Sequence, residues 1–543
     1  MNLRRTARCL ALLLACAALS SCAIFGVAPK PKLVVLLVID GLPQRQLTGL
    51  RDQLAPDGLA RFLERGAWFS DAHYGHAFTV TAAGHATLLT GASPHRTGII
   101  GNEWRDVHSG AQVYCTGDPE ATYIGHKTEA MDGTSPRNLQ AESLGDVLRG
   151  LDPRSKVIGI SGKDRGAILP AGKSGTAWMY MDETGEFAST TFYLPRAPAW
   201  AEGFNRGGPA DRYFKAEWKP LLSEAAYARS VPDSQPWFGA GGGKLPMVMG
   251  AADTAPNPAF YAALLRSPFV DAMTLDFARA AIAGEALGRD DAPDILAISL
   301  SGHDYVNHRW SAESRLSHDH LLHLDRMLEA FFRDLDASVG RDNYIAVLSA
   351  DHGFMPAPEW LRAQGQDAGR VSTTALLAKI NGELEKRFGA AKLAPFISAS
   401  ALVLDRKLLA ERSLDFDTVA TAAQGLLLAE PGIGAAFTRR ELAGGSRAGA
   451  PFFEAMRRSW HPEVSGDVQY VLRPNWMAGA SVATHGSPHP YDTHVPILLW
   501  GPRWVRPGQV DTRVDVTDIA PTLARLLRVP APAASEGKPL PLP

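Results

Sequence analysis

The chain has 543 residues, 45% hydrophobic and 21% charged, an ordinary globular balance with enough apolar mass for one large core or two moderate ones. Lys and Arg total 55 against 57 Asp and Glu, so there is no net field to draw the protein to nucleic acid or anionic lipid. Any affinity for an anion must be local.

Arg4, Arg5 and Arg8 precede an apolar run from Cys9 to Leu19, and Leu19-Ser20-Ser21-Cys22 follows, the pattern of a bacterial secretory signal ending in a lipobox. The run is too short to span a bilayer as a finished helix. Residues 1–21 are therefore expected to be cleaved, with Cys22 acylated and 22–32, which contains Pro29 and Pro31, acting as a tether to the membrane. The alternative is a plain cleaved signal with an incidental Cys22. Ala23, in place of Asp, points to a periplasmic protein held at the outer membrane. Cys9 and Cys16 leave with the signal and Cys22 carries lipid, so Cys115 alone remains and no intramolecular disulfide can form. Rigidity must come from the core or from bound metal.

Leu33–Ile39 is an unbroken apolar run, the pattern of a strand buried on both faces of a parallel sheet, and Asp40-Gly41 ends it. The arrangement returns in Val157–Ile160 before Lys163 and Arg165, in Ile295–Leu300 before Asp304, and in Ile345–Leu348 before Asp351-His352. Helical periodicity lies between, clearest over His318–Val339, where Leu321, Leu324, Leu328, Phe331 and Leu335 share a face. Strand alternating with helix predicts an α/β fold, a doubly wound, mostly parallel sheet flanked by helices with its ligand crevice at the carboxyl ends of the strands. Two stretches break the rhythm. Residues 170–256 read as an irregular insertion, and 358–476 as a second one with helices at Ala375–Phe388 and Asp417–Ala429 and strands at Phe396–Leu404 and Val468–Leu472. Together they are expected to form a cap on a catalytic domain spanning 33–543.

Carboxylates and imidazoles converging from separate elements suit divalent metals. Asp304 and His308, four apart after a strand, share one face of a helical turn, although the spacing alone is common on surfaces. Asp351-His352 and Asp40 are more informative, because charged residues sit poorly at the mouth of a buried strand without a partner. Thr81, in Thr79-Val80-Thr81-Ala82-Ala83-Gly84-His85, reads either as an N-cap or as a nucleophile at a helix N-terminus, where backbone amides favour phosphate.

Taken together, Asp40, Thr81, Asn102, Lys163, Arg165, Asp304, His308, Asp351, His352 and His485 resemble, in order and placement, the alkaline phosphatase superfamily, and more narrowly the PafA-type alkaline phosphatases related to nucleotide pyrophosphatase/phosphodiesterases. The resemblance implies two Zn²⁺ ions, one held by Asp40, Asp351, His352 and the Thr81 oxygen, the other by Asp304, His308 and His485. It implies Thr81 as nucleophile in preference to Thr79, and a phosphothreonine intermediate that water resolves. His489 and His494 compete with His485 as the last ligand, and Thr484-His485-Gly486 favours His485. His85 and His494 read as structural. Asn102, Lys163 and Arg165 would contact the non-bridging oxygens of a small phosphate ester. Two cations favour a monoester dianion over a diester, so a phosphomonoesterase is expected. The alternatives are a phosphodiesterase or nucleotide pyrophosphatase and, more remotely, a non-catalytic metal-binding surface lipoprotein. No Cys or Ser stands in a sulfatase-type Cys/Ser-x-Pro-x-Arg context.

Overall fold

All seven residues of Leu33–Ile39 (β1) are buried, because a run with no polar side chain has no face to offer water. The computed structural model, which describes residues 29–239 and 242–543, places β1 in the middle of a nine-stranded sheet. Cys22 and the expected signal lie outside the described residues. The other strands are Ala67–Phe69 (β2), Val157–Ser161 (β3), Thr176–Met181 (β4), Glu186–Ala188 (β5), Asp294–Leu300 (β6), Tyr344–Ser349 (β7), Ile497–Trp500 (β8) and Gly508–Val510 (β9). Their order is β9-β2-β8-β7-β1-β6-β3-β4-β5. The block from β7 to β4 is parallel, while β8 and β5 pair antiparallel to it, so the sheet is mixed and mostly parallel.

Five helices matter for the site: Thr81–Thr90 (α1), Asp164–Ala171 (α2), Pro268–Gly284 (α3), Gly302–Trp310 (α4) and Arg315–Leu335 (α5). In α5 the apolar stripe Leu321, Leu324, Leu328, Phe331 and Leu335 is buried as its spacing predicts, and Ser314 caps the helix by accepting the Ser317 N–H.

Two expectations need correction. The stretch from 170 is not wholly an insertion, because β4 and β5 complete one edge of the sheet and the irregular chain begins only after Ala188. Trp178 and Phe187 anchor that edge on Phe277 of α3, with ring centroids 5.3 and 4.5 Å away, which is why an aromatic-rich segment folds as core. Phe396–Leu404 is not one strand but a hairpin, Phe396–Ser398 against Ala401–Val403, turned at Ala399 and Ser400 with φ of +47° and +57°. Two left-handed residues give the turn type whose twist matches paired strands, here without the usual glycine or asparagine. This hairpin joins Val468–Leu472 and Ile433–Thr438 in a four-stranded sheet that packs with helices Thr373–Phe388 and Phe416–Leu428 around a separate apolar cluster. Among the described residues no helix is long and apolar enough to cross a membrane.

Candidate active site

β7, β1 and β6 are neighbours in the sheet, so their carboxyl ends deliver Asp351-His352, Asp40 and the start of α4 side by side. Asp304 and His308 stand one turn apart on α4 and face each other, His308 Nε2 lying 3.5 Å from Asp304 Oδ1. Two glycines allow the close approach. A Cβ on Gly41, where φ is +73°, would lie 3.1 Å from Asp304 Oδ1, and one on Gly84 would sit 2.0 Å from the Asp351 carbonyl oxygen. Gly84 thereby lets α1 press against β7's end and carry Thr81 into the cluster.

Thr81 is the first residue of α1 and makes no capping hydrogen bond, so the N-cap reading does not hold. Its hydroxyl lies 3.5 Å from His352 Nε2. Asn102 Oδ1 accepts the Ala82 N–H at 2.9 Å, which turns the amide so that its NH₂ faces away from the helix. Thr79 is otherwise occupied: its hydroxyl donates to the Ser487 carbonyl and its own carbonyl receives His485 Nδ1.

The imidazoles share one orientation. His352, His308 and His485 each direct Nδ1 at a backbone carbonyl, of Gly353, Ala483 and Thr79, at 2.9, 3.0 and 2.9 Å. Each Nε2 then carries the lone pair, and all three surround Asp304 Oδ1 at 4.0, 3.5 and 3.6 Å. His352 Nε2 also lies 3.5 Å from Asp40 Oδ1 and 3.4 Å from Asp351 Oδ2. Asp40 Oδ1, Asp304 Oδ1 and Asp351 Oδ2 are buried with no hydrogen-bond donor. Acceptor-only oxygens facing imidazole lone pairs in a dry space need positive charge, and this donor set fits divalent metal. Candidate ligand atoms gather within 4.8 Å in two sets, Asp40 with Asp351 and His352, and Asp304 with His352 and His485. His352 thus borders both sets.

Lys163, only 5% exposed, places its ammonium between Asp40 Oδ2 at 2.8 Å and Asp304 Oδ2 at 2.6 Å. The sequence pointed Lys163 at substrate alone; the structure adds a structural duty as counter-charge for two carboxylates. Burial and the neighbouring Asp351 charge push Asp40 well above the ordinary carboxylate range. Asp304 is held well below it against its burial, chiefly by the Lys163 ammonium. Burial lowers His485 and His352 and keeps both rings neutral. Arg165, in the first turn of α2, reaches the Tyr114 hydroxyl at 3.0 Å.

The competing histidines lie elsewhere. His489 Nε2 meets the Leu472 carbonyl, and His494 joins Asp71 and His73 in a separate group whose nitrogens engage Ser70 O, Asp71 and Thr493. His85 stands behind the site, with Nδ1 near both the Thr81 carbonyl and Asp351 Oδ2 and Nε2 on the Ser299 hydroxyl. Sequence reasoning passed over Tyr305, which lies between Asp304 and His308 and sets its ring 4.9 Å from Lys163 Nζ. Its place inside the Asp-x-x-x-His turn was the available signal. Asn102, His308 and His485 open onto a cleft of about 430 Å³, roofed by cap residues including Ile397, Ser400, Trp476 and Met477.

Comparisons with known proteins place the chain in a family. Residues 34–482 match the model of the type I phosphodiesterase / nucleotide pyrophosphatase family. The chain is 33% identical over 519 residues to alkaline phosphatase PafA of Elizabethkingia meningoseptica, covering 94% of each chain. It is 33% identical to alkaline phosphatase PhoV of Synechococcus elongatus, over 94% of this chain and 92% of that one. The crystal structure of wild-type PafA superposes with a TM-score of 0.88 at 32% identity, covering 95% of this chain and 99% of the other. The chain belongs to the type I phosphodiesterase / nucleotide pyrophosphatase family of the alkaline phosphatase superfamily, with PafA-type alkaline phosphatases among its relatives.

Proposed function

We propose that the protein is an exported, zinc-dependent alkaline phosphatase that hydrolyses small phosphate monoesters through a phosphothreonine at Thr81. One observation carries the reading: a threonine hydroxyl at a helix N-terminus beside buried, donor-free carboxylate oxygens and outward-facing imidazole nitrogens. Asp40, Asp351 and His352, with the Thr81 oxygen, would hold one ion, and Asp304, His308 and His485 the other. Zinc held there would supply activation of the nucleophile and neutralisation of the departing oxygen.

The chain's own residues do the rest. Thr81 Oγ1 loses its proton to solvent and forms the bond to phosphorus as the ester P–O bond opposite breaks, and the departing oxygen takes up a proton from solvent to leave as the free alcohol. Thr81 opens α1, so the positive end of the helix dipole would favour the phosphoryl group. The Asn102 NH₂, the Arg165 guanidinium and the Lys163 ammonium donate to the non-bridging oxygens, where a monoester dianion carries more charge than a diester. Water then attacks the phosphothreonine in line, returning the Thr81 hydroxyl and releasing inorganic phosphate.

The expected division into a signal (1–21), a tether (22–32) carrying acylated Cys22 and a catalytic domain (33–543) places the enzyme in the periplasm, anchored by lipid. The catalytic reading is tested by acid-quenching zinc-loaded protein during turnover of 4-nitrophenyl phosphate and mapping phosphopeptides. Phosphate on Thr81 is the expected result. A labelled residue elsewhere, or full turnover by Thr81→Ala, contradicts it.

A further inference from the structure

Arg165 would reach a phosphoryl oxygen with its guanidinium fork only if something else fixes the fork's plane. Its side chain is largely buried, and its Nε has no hydrogen-bond partner. The adjacent carboxylate of Asp164 does not capture it, since Asp164 Oδ1 stays 3.8 Å from Nη1. The Tyr114 hydroxyl stands between them: it donates to Asp164 Oδ1 at 2.7 Å and accepts from Arg165 Nη1 at 3.0 Å.

The intermediary has a chemical consequence. A bidentate pair with Asp164 would use the fork and cancel the charge on which a dianion depends. A neutral phenol instead occupies one N–H, orients the plane and leaves Nε unused. Burial and the nearby Asp164 raise the phenol well above its ordinary pKa, so the hydroxyl stays protonated in alkaline solution. Asp164 is itself fixed, since Oδ2 accepts the Gly133 N–H at 2.8 Å, and a Cβ on Gly133 would intrude to 2.3 Å of that oxygen.

The same hairpin holds Asn102. Glu103–Arg105 pairs with Gln112–Tyr114, Glu103 opposite Tyr114, and the Cys115 N–H closes onto the Asn102 carbonyl at 2.9 Å. One end of this hairpin therefore carries both the amide that faces α1 and the phenol that orients Arg165.

We propose that Tyr114 is a positioning residue for Arg165, and that the 102–115 hairpin sets the geometry through which the site prefers monoesters to diesters. The proposal rests on the phosphatase reading above and extends it to a residue that does not touch substrate. The test compares wild type, Tyr114→Phe, Arg165→Ala and the double variant, all zinc-loaded, on 4-nitrophenyl phosphate and bis(4-nitrophenyl) phosphate. Tyr114→Phe removes one oxygen and should lower monoester kcat/KM by about 10-fold, the equivalent of one charged hydrogen bond, while diester kcat/KM changes less than about 2-fold. In the Arg165→Ala background the same substitution should add less than about 2-fold, because its route is already gone. Wild-type monoester activity in Tyr114→Phe, with Arg165→Ala impaired, overturns the proposal and leaves the phosphatase reading intact. Equal losses on both substrates, or multiplicative losses in the double variant, give Tyr114 a merely structural role and also overturn it. An Arg165→Ala enzyme at wild-type monoester rate removes Arg165 from the catalytic reading, and the proposal falls with it.

Discussion

Thr81 and Thr79 are two residues apart and chemically alike, yet their surroundings separate them. Thr81 presents its hydroxyl to the cluster, whereas Thr79 spends its hydroxyl on Ser487 and its carbonyl on His485. Thr81→Ala should therefore lose monoester turnover by about 10³-fold or more while still binding metal, as expected for a lost nucleophile. Thr79→Ala should lose only a few-fold. Elemental analysis beside kcat checks both, and loss of metal in Thr81→Ala would make its inactivity uninformative about nucleophilicity and contradict the expected outcome. At this scale much was legible, because Asp40, Asp304, Asp351 and His352 each follow an apolar run that must be buried. The double attachment of Lys163 and the link from Tyr114 to Arg165 were not, since they join residues 123, 141 and 51 positions apart. No local pattern encodes such a contact.

At the scale of elements, the site depends on how closely α1 approaches the end of β7. The missing side chain at Gly84 permits that approach, and Gly84→Ala would drive a methyl into the backbone of Asp351. The helix must shift, moving Thr81 by a substantial fraction of an ångström, and displacement of that size costs about 100-fold in rate. We expect at least that loss of kcat with an unchanged circular dichroism spectrum; near wild-type kcat would mean that α1 does not set the nucleophile's position. Strands β1, β6 and β7 could be read from sequence because each is a continuous apolar run. β4 and β5 were hidden because Trp178, Tyr180 and Phe187 are core residues in a neighbourhood rich in Gly and Pro. The Phe396–Val403 hairpin was hidden for a different reason. Ala399 and Ser400 adopt the left-handed conformation without the Gly or Asn that normally announces it.

For the whole molecule, stability should depend on pH and on metal. His76 is buried with Nε2 unpartnered, and burial, with help from Arg458, lowers it to about 3 from 6.5. The unfolded chain therefore takes up this proton first. The stabilising contribution is complete above pH 6.5 and is lost as pH falls toward 3. His76→Phe should flatten the stability profile between these limits by up to about 1.4 kcal/mol per pH unit, as measured by denaturant unfolding. An unchanged slope would contradict the burial argument. Cys115 is buried and free, so no disulfide braces the described fold. Removing metal should abolish turnover, lower the melting temperature, and be reversed by zinc. Mass spectrometry of membrane-extracted protein should find an acylated Cys22 at the mature N-terminus; an unmodified mature chain that begins at another residue would contradict the anchor.

The preference for monoesters should come from the buried cations Lys163 and Arg165. The most direct measurement is the ratio of kcat/KM for 4-nitrophenyl phosphate to that for bis(4-nitrophenyl) phosphate, taken for the zinc-loaded wild type and for Lys163→Ala/Arg165→Ala. The expected ratio is well above one in the wild type and falls by about 10²-fold or more in the double variant, from the loss of two charge-assisted contacts. A wild-type ratio below one would contradict it and assign the site to diester hydrolysis, and equal losses on the two substrates would contradict it by showing that the cations do not set the preference.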